Sequence, residues 1–232
     1  MQRWAGRVAV VTGASSGIGA AISQELVKKG LKVVGLARRV ERVEEMSKTL
    51  SSQPGKLYPV KADITKDTDV KDAFKWIKSN LGGVDILINN AGVNIGNSLT
   101  VNGPLEGWRS MFDLNVLALS NCTKEAVQSM KDRGVDDGHI VHINSIYPCT
   151  TKHAVTMLAE GLRRELVSQK SKITSHLNVV DGKALSTPSD AQQTLHESHP
   201  HLQPQDLADA VLYVLGTPPH VQVHELTLRP TV

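Results

Sequence analysis

Residues 7–19 read RVAVVTGASSGIG, and this stretch constrains the fold more than any other. A β-branched apolar run enters a turn with glycine at 13, 17 and 19, then passes directly into a helix-period stretch. That order suits a backbone that approaches a phosphate closely. Gly13 allows the tight turn, Gly17 admits a pyrophosphate, and Gly19 lets helix and strand pack together. The backbone amides along Ser15, Ser16, Gly17, Ile18 and Gly19, with the helix N-terminus, offer positive potential to the anion. The alternative is a turn that only joins a strand to a helix. The strand before it and the helix after it favour nucleotide binding.

The rest of the chain repeats the alternation. Residues 7–12, 32–37, 57–62, 84–89 and 139–144 read as strands, mostly apolar on both faces. Between and after them, residues 18–29, 40–50, 67–80, 108–131, 152–167 and 204–215 carry helical periodicity. Strand–helix units with connections of this length imply right-handed crossovers. The expected fold is α/β: a single doubly wound parallel sheet of Rossmann type, helices on both faces, one domain over 1–232. No internal repeat interrupts it. Residues 181–201 are polar, hold Pro188, Pro200 and three histidines, and read as a long loop or lid.

Composition narrows the function classes. Of 232 residues, 40% are hydrophobic and 21% charged, which argues against a disordered chain. A formal charge of +3, spread along the sequence, gives no basis for a nucleic-acid partner. Two cysteines, Cys122 and Cys149, make neither a disulfide framework nor a CxxC zinc site. No uncharged apolar stretch approaches the roughly 20 residues of a membrane span, and residues 1–7 lack the apolar core of a secretory signal. The expectation is a soluble cytoplasmic protein.

After the second strand, folds that prefer NAD place a carboxylate against the ribose 2′-hydroxyl. Here Ala37 is followed by Arg38 and Arg39. Guanidinium groups suit a 2′-phosphate, so NADP(H) is the expected cofactor. Solvated arginines at a strand end are the alternative.

These residues carry a resemblance. TGASSGIG at 12–19, Ala62-Asp63 after strand three and Asn89-Asn90-Ala91-Gly92 after strand four resemble the short-chain dehydrogenase/reductase family. Leu114-Asn115-Val116 within a helix and a Ser–Tyr–Lys set beyond it extend the likeness to nearly the whole chain. Residues 31–38 and 213–231 resemble its farnesol dehydrogenase-like branch. The resemblance implies NADP-linked interconversion of an apolar secondary or allylic alcohol, steroid- or isoprenoid-like, with its carbonyl. It also implies roles. Asp63 and Ile64 would lie by the adenine, and Asn90, Ala91 and Gly92 would line the ribose side. Asn115 would hold a relay water, Ser145 would polarise the carbonyl and Tyr147 would act as acid and base. Lys152 would lower the phenol pKa and bond the nicotinamide ribose.

Three departures accompany that likeness. The family spaces tyrosine and lysine as Tyr-x-x-x-Lys, but five positions separate Tyr147 from Lys152. On a regular helix those side chains diverge by about 140°. Pro148 as a first helical residue, or a π-bulge over residues 149–151, would restore the pair. Only Ile146 lies between Ser145 and Tyr147, where the family places around a dozen residues. The Pro-Gly that follows strand six in the family is replaced, with Leu177 and Asn178 in those places. A catalytically impaired dinucleotide-binding isoform is therefore the competing expectation.

The remaining features are weaker. His196, His199 and His201 read as a solvated loop rather than a metal site, and no metal is expected. Cys149 reads as a packing residue rather than a reactive thiol. Asn115 on an apolar helix face needs bonds, either to a relay water or within the protein. Apolar stripes over 108–130 and 152–166 either cover the sheet or pair with a second copy as a homodimer.

Overall fold

A computed structural model describes residues 1–95, 104–145, 150–180 and 201–231. Seven strands form one sheet in the order β3-β2-β1-β4-β5-β6-β7, and every neighbouring pair is parallel. The strands are β1 (Val8–Thr12), β2 (Lys32–Ala37), β3 (Lys56–Lys61), β4 (Ile86–Asn89), β5 (His139–Ser145), β6 (Thr174–Val180) and β7 (Glu225–Leu228). The chain winds outward from β1 to β3, then returns to place β4 against the other side of β1. That reversal opens a crevice at the carboxyl ends of β1 and β4, where ligands of such sheets bind.

Side chains alternate across the strands and divide the core into two layers. On one face Val11, Val33, Ile86, Ile88 and Val141 pack with Ile22 and Leu26 of α1 (Gly17–Lys28), and with Val211 and Leu215 of α7 (Pro204–Gly216). On the other, Val10, Val34, Leu87 and Ile140 meet Phe74 and Ile77 of α3 (Asp67–Leu81), and Cys122 and Met130 of α5 (Leu119–Asp132). All of β1 and β4 is buried, as expected for central strands covered on both sides. The helix α2 (Val40–Thr49) joins β2 to β3, and α6 (Thr150–Ser168) joins β5 to β6.

Two differences from the sequence reading have physical causes. The helix expected over 108–131 begins earlier, as α4 (Leu105–Phe112), and is widened into a π turn at Asp113–Ala118 before α5. Helical periodicity does not register one extra residue per turn, so it could not reveal this. Leu177 and Asn178 lie within β6, not beyond it: they pair with His142 and Ile143 on one side and with Glu225 and Leu226 on the other. The strand therefore continues through the positions read as the Pro-Gly place, and residues 181–200 lie outside those described. The short edge strand β7 was not among the expected strands, although its residues alternate exposed and half-buried.

Candidate functional site

The glycine turn occupies the switch point. Gly13 has φ +71° and Gly17 +55°, conformations that L side chains rarely adopt. A Cβ at Gly13 would lie 3.0 Å from the Ala91 Cα. At Gly19 it would come within 2.4 Å of both the Gly13 carbonyl oxygen and Asn90 Nδ2. The roles read from the sequence for Gly13 and Gly19 therefore have direct geometric counterparts. The amides in the first turn of α1 have no helical carbonyl to bond. With the turn held against β4, these amides make a cradle of donors that could hold an anion.

Asn90 fastens this cradle. Its Nδ2 donates to the Thr12 carbonyl at 2.9 Å and to the Gly13 carbonyl at 3.4 Å. In return, Thr12 Oγ1 accepts from the amides of Asn90 and Ala91, each at 3.0 Å. The side chain expected to line a ribose thus grips the turn itself. Thr12 was missed by sequence reasoning, although a hydroxyl at a strand end beside a glycine turn was a usable signal.

The adenosine side gathers around β2 and β3. Arg39, just before α2, donates from Nη2 to Ser16 Oγ at 3.3 Å, so a guanidinium reaches the mouth of the turn. Asp63 accepts from the Thr65 hydroxyl at 2.8 Å and from the Thr65 amide at 3.2 Å. Burial would raise its pKa, but these bonds and the charges of Arg38 and Lys66 outweigh that and hold it low. Ile64 beside it is buried.

Beyond β4 the polar groups are deeper. Asn115, in the π turn, is 2% exposed. Its Oδ1 accepts from the Val93 amide and its Nδ2 donates to the Val93 carbonyl, both at 2.8 Å; Nδ2 also donates to Thr151 Oγ1 at 3.1 Å. Both amide hydrogens are thus committed within the protein. Of the two uses open to it, the structural one is visible. Ser145 ends β5, in register with Val180. Lys152 lies in the first turn of α6. Tyr147, Pro148 and Cys149 lie outside the described residues, as do His196 and His199. His201 contacts Gln203 Nε2 at 2.8 Å. Among the described residues no group of three or more His, Cys, Asp or Glu is arranged to hold a metal.

Three histidines are buried in the same half. His139 and His176 stack with centroids 4.9 Å apart and share a hydrogen bond of 2.9 Å between His176 Nε2 and His139 Nδ1. His142 Nδ1 lies 3.3 Å from Asn89 Nδ2, which also donates to Thr123 Oγ1 at 2.8 Å. Burial, reinforced by the neighbouring histidine, pushes His139 down to about 3 and His142 to about 4. Burial likewise lowers His176 to about 4. All three are neutral at physiological pH. Burial, then the Glu125 charge, pushes the Cys122 thiol up to about 12, so it is a packing group.

Comparison with known proteins adds to this geometry. The family model described as short chain dehydrogenase matches residues 7–195. Farnesol dehydrogenase of Aedes aegypti is 48% identical over 247 residues, covering 99% of this chain and 98% of that protein. Dehydrogenase/reductase SDR family member 11 of Homo sapiens is 44% identical over 253 residues, covering 100% and 96%. That alignment exceeds the 232 residues of this chain by 21, so at least that many of its positions have no counterpart here. Among solved structures, a metagenomic short-chain oxidoreductase in complex with NADP superposes with a TM-score of 0.80 at 25% identity, covering 99% of both chains.

Proposed function

The chain belongs to the short-chain dehydrogenase family, and from that premise we propose that it is an NADP(H)-dependent oxidoreductase interconverting an apolar alcohol with its carbonyl. The observation that carries this reading is the anion cradle at the switch point. There Gly13 and Gly19 admit no side chain, and Asn90 and Thr12 lock the turn to β4. Gly13 and the amides along Ser15–Gly19 would hold the pyrophosphate, and Asp63 with Ile64 the adenine. Asn90, Ala91 and Gly92 would border the ribose side. Arg39 at Ser16, with Arg38 near Asp63, supports a 2′-phosphate and hence NADP(H) over NAD(H). A steroid- or isoprenoid-like substrate is supported by likeness to a protein named farnesol dehydrogenase.

When bound, the nicotinamide supplies or accepts the hydride. The protein's own work is orientation and proton transfer. Ser145 at the end of β5 would donate to the substrate oxygen. Tyr147 would exchange the proton at that oxygen, and Asn115, expected to hold a relay water, would tie the segment after β4 to the first turn of α6. A phenol titrates near pH 10 unaided, and the Lys152 ammonium nearby would favour phenolate and bring it toward the working range. Exposed Phe112, Leu117 and Met157, on α4, the π turn and α6, are consistent with a homodimer. Among the described residues no helix is long and apolar enough to cross a membrane, in keeping with a cytoplasmic enzyme.

A second reading is favoured by the 21 missing alignment positions and the five-residue step from Tyr147 to Lys152. In it, the chain binds the dinucleotide but turns over poorly or not at all. One experiment separates the two. Purified protein is titrated with NADPH by fluorescence, then assayed for NADPH oxidation with steroid, diketone and isoprenoid carbonyls. Binding with turnover supports the enzyme; binding without turnover supports the impaired isoform; no binding contradicts both.

A further inference from the structure

Asn115 connects three segments that are distant in sequence. They are the residues following β4, the π turn between α4 and α5, and the first turn of α6. Its two bonds to the Val93 main chain fix the plane of the carboxamide, because a planar amide held at both its oxygen and its nitrogen cannot rotate. The second N–H on Nδ2 must then point in one direction, and at its end stands Thr151 Oγ1, fully buried. Beyond its first turn α6 is seated by apolar contacts, Val155 against Leu119 and then Ala159, Leu162 and Leu166 along the same helix. The Asn115–Thr151 bond adds a directional contact at the first turn itself.

The geometry points to Thr151 as a positioning residue for the nicotinamide half of the site. Its hydroxyl, read through Asn115, sets the rotation of the first turn of α6 against the segment after β4. Lys152 is the next residue in that turn. The inference rests on the proposed role of Lys152 at the nicotinamide ribose. It goes further by identifying which buried bond fixes where that turn stands. A residue of similar shape without the hydroxyl leaves one buried N–H of Asn115 unpaired, a change worth about tenfold in an equilibrium that depends on it.

The test compares NADPH with 2′,5′-ADP, which shares the adenosine phosphates but has no nicotinamide. Wild-type protein, Thr151→Val and Thr151→Ser are titrated with both ligands, with Thr151→Ala as a second variant lacking the hydroxyl in case the valine form does not fold. Thr151→Val is expected to bind NADPH about tenfold more weakly while its affinity for 2′,5′-ADP stays within about twofold; Thr151→Ser restores NADPH binding. Equal NADPH affinity in the hydroxyl-free variants overturns the inference and leaves the cofactor reading standing. So does a parallel loss of both ligands, or a serine form as weak as the valine form. Wild-type protein that binds neither ligand overturns the cofactor reading, and this inference with it.

Discussion

At the amino ends of the strands, Asp85 accepts from Arg133 at 2.9 Å, from Arg7 at 3.3 Å and from the Val8 amide at 2.8 Å. Arg7 also grips Asp137 through two bonds of 2.6 and 2.7 Å. At the carboxyl ends, Thr12, Asn90 and Asn115 are held only by hydroxyls, amides and carbonyls. The central strands are closed at their amino ends by paired charges and at their carboxyl ends by neutral groups. The difference has consequences for chemistry. Formal charges satisfied by one another hold the strands together but leave no field for a ligand. Neutral anchors fix the turn without cancelling the positive potential of the α1 N-terminus or of Arg39. Stability and anion binding are thereby assigned to opposite ends of these strands, and substitutions can test that division.

The largest effect is expected at Asp85. Asp85→Ala leaves the buried Val8 amide without its acceptor and takes one partner from each guanidinium, although Arg7 keeps Asp137 and Arg133 keeps the Val84 and Ser129 carbonyls. It should cost about 3 kcal/mol in urea unfolding. NADPH affinity of the folded protein should not change. If affinity falls as well, the two ends are not independent.

Acid should weaken the protein through its buried histidines, with a smaller effect per residue. Their folded pKa values, about 3 for His139 and about 4 for His142 and His176, lie below the free value of 6.5. The unfolded chain binds more protons between those values, so their contribution is full above about pH 6.5 and declines as pH falls toward 4. Each histidine should cost about 2 kcal/mol by pH 5. Unfolding midpoints measured from pH 7.5 to 5 should show the decline, and His139→Asn should flatten it. A profile unchanged by that substitution would remove the His139–His176 pair from the account.

Gly19→Ala tests the opposite end. The added Cβ meets main chain at Gly13, where nothing can yield, so about 2 kcal/mol of stability and most NADPH binding should be lost together. Finally, Arg39→Ala should weaken NADPH by about tenfold and leave NADH unaffected, since only the former carries the phosphate that a guanidinium grips.

The same contrast explains how much could be read beforehand. The first half of the chain was legible because its demands are local. Glycines at 13, 17 and 19 announce a turn, and β-branched runs bounded by helical periods announce buried strands. The strand predicted over 32–37 and the start of the helix at Val40 agree with the structure. The second half depends on encounters that no local pattern encodes. Thr151 gains meaning only when α6 brings it to Asn115, 36 residues away. The π turn at Asp113–Ala118 was read as plain helix because its apolar spacing still fits one. The pairing of His176 with His139 required the β5–β6 register to be known.

The most direct measurement is equilibrium titration of the purified wild-type protein with NADPH and NADH, followed by nucleotide fluorescence. The account predicts saturable binding of both, with NADPH tighter by about tenfold or more through the arginines after β2. A flat titration with NADPH would contradict it, because the bend between β1 and α1 would then be only a connection between two elements.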